Sequence, residues 1–346
     1  MHRTTTISVD LAKSVYQVAE ADAEWRVVER RRLSRGQLLR YFGERQPCLV
    51  VMEACGTAHF WGRWLAALGF TVRLLPPQYV RAFVRRNKTD RSDADALLEA
   101  ARSADLTAVP VKSEQQQALL SLHRLRSAWL ASRTARLNTV RGILREFGVN
   151  VPRGARRVTA AVEALLGEAT SPVPVVLHPL LQQACAEARE LQTRMEQAED
   201  ELQRLAADMP IVALLRSVPG IGLLTSTALV AAIGDIVRFP SGRHLASWLG
   251  LTPRERSSGN TRRLGGISKR GDRYLRTLLI HGGRSLLAAA NRRGGHDHLR
   301  AWGLEIARLR GHNRAAVAVA NKLARICWAL WRHGERYQGR PLPKAA

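Results

Sequence analysis

The chain has 346 residues, 46% of them hydrophobic, with 54 Lys and Arg against 29 Asp and Glu, a formal net charge of +25. That length and apolar content suit two or three domains with cores of their own, and they exclude intrinsic disorder as the main account. A charge so far from zero points to a polyanionic partner, because each neutralised phosphate releases a condensed counterion.

The first hundred residues alternate strand and helix patterns. Thr4–Val9, Val15–Ala19 and Trp25–Arg31 are short β-rich runs whose turn signals predict an antiparallel meander. Ser34 caps a helix that runs to about Glu44. Cys48–Met52 is a continuous apolar strand of the kind buried on both faces. A helix over His59–Leu68 and a strand over Phe70–Leu75 follow, stopped by Pro76 and Pro77. This order predicts an α/β domain with a mixed sheet over residues 1–110.

From Asp90 to about Gly148 the pattern is helical, with Leu119, Leu122, Leu125 and Trp129 in one stripe. Pro152 and Gly154 break it, Pro172 and Pro174 mark a second break, and a long amphipathic helix follows from about His178 to Met209. Two long helices joined by a Pro-containing segment resemble an antiparallel hairpin or coiled-coil arm over 111–210; two helices of an ordinary bundle would read the same way. Residues 211–346 read as helical with short loops, and they hold most of the charge: net +17 over 241–346, against +5 over 1–100 and +3 over 101–240.

The four cysteines, Cys48, Cys55, Cys185 and Cys327, have no metal-ligand spacing and suit a reducing compartment. No stretch is apolar for long enough to span a membrane, and the start runs straight into a strand, so a soluble cytoplasmic protein, nucleoid-associated when acting, is expected.

Three segments carry chemistry. In the first, Asp10 ends the opening strand, Glu53 follows the CLVVM strand, and Asp90 and Asp93 lie three apart at a helix start, with Asp95 on another face. Any one of these acids alone would read as a turn residue or a helix N-terminal acid. Two acids at strand ends plus a helix pair suit oxygen ligation of hard divalent cations, and so a metal-dependent nuclease or transferase core.

The second is the Val218–Gly222 run VPGIG, the turn of a helix-hairpin-helix, where Pro219, Gly220 and Gly222 let backbone N–H groups approach phosphate; plain helix punctuation is the alternative. The third is Leu249–Arg276, in which Ser257, Ser258 and several glycines are interleaved with Arg254, Arg256, Arg262, Arg263, Lys269, Arg270, Arg273 and Arg276. Small residues among cations suit a loop laid against a phosphate backbone, and a serine there either binds phosphate or acts as a nucleophile.

With these residues in order, the chain resembles the DEDD transposases of the insertion-sequence 110/1111 family, the 1111 group in particular. The likeness rests on ISVDLAK, MEACG, NKTDRSDADALLEAAR, VPGIG and LGLTPRERSSGNTRRLGGISKRGDRYLRTLLIHGGR, and covers nearly the whole length. The resemblance implies a RuvC-like (RNase H fold) N-terminal domain whose acids, here Asp10, Glu53, Asp90 and Asp93, bind Mg²⁺ or Mn²⁺. It also implies a coiled-coil arm and a helical C-terminal transposase domain with a nucleophilic serine in an S-G motif, matching Ser258. It further implies a bridge RNA that pairs with donor and target DNA, and a tetramer in which acids of one subunit complete a site with the serine of another. The resemblance thus implies an RNA-guided recombinase. A resolvase-like endonuclease that uses water and a non-catalytic nucleic-acid scaffold are the readings held against it.

Overall fold

The computed structural model describes residues 5–83, 90–103, 106–152, 154–168, 170–293 and 297–339. The chain divides into two compact units, residues 1–114 and 115–346.

The first unit is built on a five-stranded sheet. Strands β1 (Thr6–Leu11), β2 (Val15–Ala21) and β3 (Val27–Ser34) form the antiparallel meander, and β4 (Leu49–Glu53) and β5 (Thr71–Leu75) extend it parallel to β1, in the order β3-β2-β1-β4-β5. Helix α1 (Arg35–Gly43) starts at a capping box: the Ser34 Oγ accepts from the Gln37 N–H and the Gln37 side chain accepts from the Ser34 N–H.

Because strand side chains alternate between faces, Ile7, Val9, Val50 and Met52 face one way. They pack against Leu38 and Phe42 of α1 and Trp61 and Leu65 of α2 (Ala58–Ala67). A chain of aromatic edges, Tyr16 on Trp61 at 5.3 Å and Phe42 on Phe70 at 5.2 Å, fills that side. Val51 and Leu75 face the other way, where they meet Val80 of the short α3 (Pro77–Val80) and Ala96, Leu97 and Ala100 of α4 (Asp90–Arg102). The predicted helical stretch is interrupted between α4 and α5 (Glu114–Glu146), where the Val109 N–H donates to the Leu74 carbonyl at 2.8 Å and extends the sheet edge by one bridge.

In the second unit α5 pairs antiparallel with α7 (His178–Ala207). Arg126 meets Glu199 at 2.7 Å and Arg136 meets Glu187, so advancing along one helix means retreating along the other. The segment between the two proline breaks is itself helical, α6 (Ala155–Gly167), and buries Val158 and Val162 against Leu137, Val140 and Leu181. Sequence punctuation alone left this helix unread.

The remainder, α8 (Pro210–Arg216), α9 (Leu223–Ile233), α10 (Gly242–Trp248), α11 (Arg273–Arg293), α12 (His298–Arg310) and α13 (His312–His333), shares one core that includes Leu229, Leu245, Leu279, Leu287 and Leu323. Between α10 and α11 stands a two-stranded antiparallel hairpin, β6 (Pro253–Glu255) and β7 (Leu264–Ile267), in place of the expected open loop. Its residues are almost all exposed and charged or small, so no apolar alternation announced it.

One buried histidine ties α5 to this bundle. The Thr227 hydroxyl donates to the Leu223 carbonyl at 2.6 Å, so its oxygen accepts from Nε2–H of His123 at 3.0 Å. The bare Nδ1 then accepts from the Tyr274 hydroxyl at 2.9 Å. Among the described residues no helix is long and apolar enough to cross a membrane.

Candidate functional site

The acids of the first unit sit where the strands end. Residues Thr6 to Val9 of β1 pair in parallel register with Leu49 to Met52 of β4; Asp10 and Glu53 are the next residue on each, side by side at the carboxyl edge of the sheet. Alternation places both on the face of Ser8 and Val51, the face that α4 covers.

Helix α4 is fixed there from three strands. The Ser8 hydroxyl donates to the Ala94 carbonyl at 2.8 Å, and Arg73 of β5 donates to the Ala101 carbonyl at 2.7 Å, satisfying an orphan acceptor at the helix end. Arg30 of β3 forks onto Asp95, at 3.1 and 2.9 Å. Asp95 is thus taken up in an ion pair. Asp93 is not: its Oδ1 is buried with no hydrogen-bond partner. A buried acceptor left unpaired is costly, and a hard cation with oxygen ligands would satisfy it.

Asp90 starts α4, and its side chain lies outside the described residues. Among the described residues no three His, Cys, Asp or Glu side chains close into a metal cluster. Asp10 and Glu53 share one face at the sheet edge and Asp93 lies on the helix that covers this face; the all-oxygen chemistry of the three fits a divalent cation.

In the second unit the VPGIG turn follows α8. Val218 and Ile221 are buried, and Gly220 adopts a φ of +88° and lies so close to α11 that a Cβ there would come within 2.6 Å of the Gly282 carbonyl oxygen. Both facts demand glycine. Gly222, by contrast, has ordinary extended backbone and open space where a Cβ would stand, so packing does not explain it.

The hairpin carries the serines at its tip. Ser258 and Thr261 exchange backbone hydrogen bonds at 3.3 and 3.1 Å around Gly259, whose φ is +54°. Ser257 is occupied: its Oγ donates to Glu255 at 2.8 Å and accepts from the Arg263 N–H at 3.2 Å. Ser258 is exposed, and its Oγ makes no hydrogen bond among the described residues. Glu255 also meets Arg262 at 3.3 Å, and it is the only acid between Asp235 and Asp272. Sequence reasoning passed over this carboxylate, although its isolation among cations was visible.

The hairpin base is locked by two glycines. A Cβ on Gly250 would fall 2.0 Å from the Arg270 carbonyl oxygen, and one on Gly271 would fall 1.9 Å from that of Trp248. Arg254, Arg256, Arg262, Arg263, Lys269, Arg270 and Arg273 are exposed around it. Arg276 differs from them: it is buried, and its guanidinium donates to the Leu249 carbonyl at the end of α10 at 3.1 Å, which gives it a duty in the fold.

An acid-bearing sheet edge in one unit and a cationic, serine-tipped hairpin in the other define a protein that acts on nucleic acid. Comparison with known proteins agrees. Residues 7–149 match the DEDD transposase family of the IS110 type, and residues 212–299 match the transposase IS116/IS110/IS902 family. A Pseudomonas aeruginosa protein named "Probable family 20 transposase" is 44% identical over 94% of this chain and 96% of its own length. The transposase for insertion sequence element IS1111A of Coxiella burnetii is 37% identical over 96% of this chain and 91% of its own. The transposase for insertion sequence element IS1328 of Yersinia enterocolitica is 35% identical, over 96% and 98%. The chain belongs to the IS110/IS116/IS902 family of insertion-sequence transposases, enzymes that act on DNA. Its N-terminal domain is of the DEDD type, a class that uses divalent metal.

Proposed function

We propose that this transposase cuts and rejoins DNA through a covalent bond to Ser258, with Mg²⁺ or Mn²⁺ at Asp10, Glu53, Asp90 and Asp93, under the guidance of a bridge RNA, as a tetramer. The observation that carries the reading is the contrast between neighbouring serines: Ser257 Oγ is committed to Glu255 and the Arg263 N–H, while Ser258 Oγ is exposed and uncommitted at the tip of a cationic hairpin.

In the reaction the Ser258 Oγ attacks a DNA phosphorus. The Oγ–P bond forms as one P–O bond to deoxyribose breaks, the serine proton leaves to solvent or a base, and the departing deoxyribose oxygen takes up a proton. The phosphodiester energy is kept in the phosphoserine, so that a second deoxyribose hydroxyl reverses the step and reseals a strand. A bound divalent cation supplies positive charge to the crowded phosphoryl oxygens and makes the leaving oxygen a better one. Arg254, Arg256, Arg262, Arg263, Lys269, Arg270 and Arg273 hold phosphates in place, and Pro219, Gly220 and Gly222 present a backbone turn to a strand. Sequence choice falls to base pairing with the RNA, while the protein grips backbones by shape and charge.

The test is a covalent adduct between the protein and end-labelled DNA carrying the element's ends, resolved after denaturation. Wild-type protein and Ser257→Ala form it and Ser258→Ala does not. DNA cleavage by Ser258→Ala without an adduct would assign the chemistry to water.

A further inference from the structure

A groove of about 1030 Å³ lies in the second unit between strand β7 and the helices α12 and α13. Arg310 at the end of α12 and Arg314, Lys322 and Arg325 on α13 line one side, and the exposed backbone of Gly265 and Gly266 lines the other. No Asp or Glu lines the groove. On α13 the lining positions 314, 318, 321, 322 and 325 recur at helical spacing, so they form one face.

None of the four cations has a carboxylate partner among the described residues, whereas Arg300 and Arg308 on the same α12 are paired with Asp297 and Glu305. The groove therefore collects the unneutralised charge. Lys322 is held over the Trp302 ring at 4.4 Å, and its ammonium is pushed below the ordinary lysine range by burial and by Arg325. Converging like charges are a standing cost that a bound anion relieves.

We propose that this groove binds the phosphodiester backbone of the DNA duplex that flanks the serine hairpin. The span argues for a polymer over a single phosphate: Arg314 and Arg325 are eleven residues apart, roughly 16 Å along a helix and about five rises of 3.4 Å along a DNA strand. The shared wall argues for substrate DNA: β7 lines the groove and begins three residues after Thr261, which closes the turn that holds Ser258. From Gly265 to Thr261 is four residues, no more than roughly 13 Å of extended chain, which places the gripped phosphates within about four base pairs of the cut. The inference rests on the DNA strand-transfer reading above and adds to it a groove that the hairpin shares with α12 and α13.

The test uses the full-length chain and measures affinity for a duplex of about 30 base pairs across a salt series, where each lost phosphate contact lowers the log–log slope by about 0.9. Arg314→Gln/Lys322→Gln/Arg325→Gln is expected to flatten the slope by between about 2 and 3 and to lose at least about tenfold in affinity at 0.1 M salt. Arg314→Lys/Arg325→Lys keeps the slope, because charge and not fork geometry is read. Should the triple variant not fold, Arg325→Gln alone lowers the slope by about one. An unchanged slope in a folded variant overturns the proposal, as does a loss confined to a structured RNA probe with duplex binding intact. Ser258→Ala retains the wild-type slope, so the groove is decided by the salt series whatever the adduct assay says of the nucleophile.

Discussion

The Ser8 hydroxyl donates to the Ala94 carbonyl at 2.8 Å, and this bond from the first strand sets α4 over the sheet face that carries Asp10, next to last in β1, and Glu53, last in β4. It separates the acids of α4 by role: Asp95 turns to Arg30, and Asp93 keeps a buried, unpaired oxygen. Asp93→Asn should leave the urea midpoint within error of wild type or raise it, and abolish strand cleavage on labelled DNA. Asp95→Asn should keep cleavage and lose at most about 1 kcal/mol, since its ion pair is partly exposed. Ser8→Ala should cost about 1 kcal/mol and reduce cleavage through the helix it positions.

Chelation provides a second check. EDTA-treated protein should bind duplex DNA with unchanged affinity and form no covalent adduct, and addition of Mg²⁺ or Mn²⁺ should restore the adduct. Adduct formation in rigorously metal-free buffer would remove the acids from the chemistry.

The proposed dependence on RNA is tested separately from both. Nuclease-treated, RNA-free protein should retain non-specific duplex binding and lose sequence-specific recombination, which returns on adding the non-coding transcript of the element. Full site-specific recombination after complete RNA removal would end the guided reading.

His123 predicts an acid-sensitive joint. Burial pushes it down to about 4 from the ordinary 6.5, in keeping with the single neutral tautomer that its partners require. The unfolded chain takes up this proton below about pH 6.5 and the folded chain does not until about pH 4, so stability falls with pH across that window, by at most about 3 kcal/mol. Between pH 7 and 5 the wild type should lose about 2 kcal/mol more than His123→Gln in urea titrations. Equal losses would show that the histidine ionises inside the fold.

The glycines of the hairpin turn should behave unalike. Gly220→Ala must adopt a positive φ and also strike the Gly282 carbonyl, so it should yield little folded protein. Gly222→Ala has room and an ordinary φ, so it should fold with a thermal midpoint close to wild type. A folded Gly220→Ala would show that the turn and α11 can part.

Much of the first unit was legible because its strands are apolar and its turns are punctuated. CLVVM reads as a two-faced strand, and the strand boundaries alone put Asp10 and Glu53 at strand ends. The two-residue step from Asp93 to Asp95 also put Asp95 on a different helix face, where Arg30 meets it. The β6–β7 hairpin was illegible because its stability comes from backbone pairing and from the collisions that glycine avoids at Gly250 and Gly271, neither of which leaves a hydrophobic pattern. Arg276 shows the converse failure: among eight cations of one composition, only a structure tells which guanidinium is turned inward to cap a helix. Helix α6 is hidden in the sequence by the prolines on either side of it, which read as the ends of longer helices.

The contact between Gly220 and Gly282 has a genetic consequence. Each Cβ position faces the other's carbonyl oxygen, at 2.6 and 2.3 Å, so alanine is excluded at both places. A glycine codon becomes an alanine codon by one base change. A copy of this gene can therefore fall silent through the gain of a single methyl group, with every acid and serine of the proposed reaction still readable. Degenerate copies of the element should be sought at these two codons as well as at the catalytic ones.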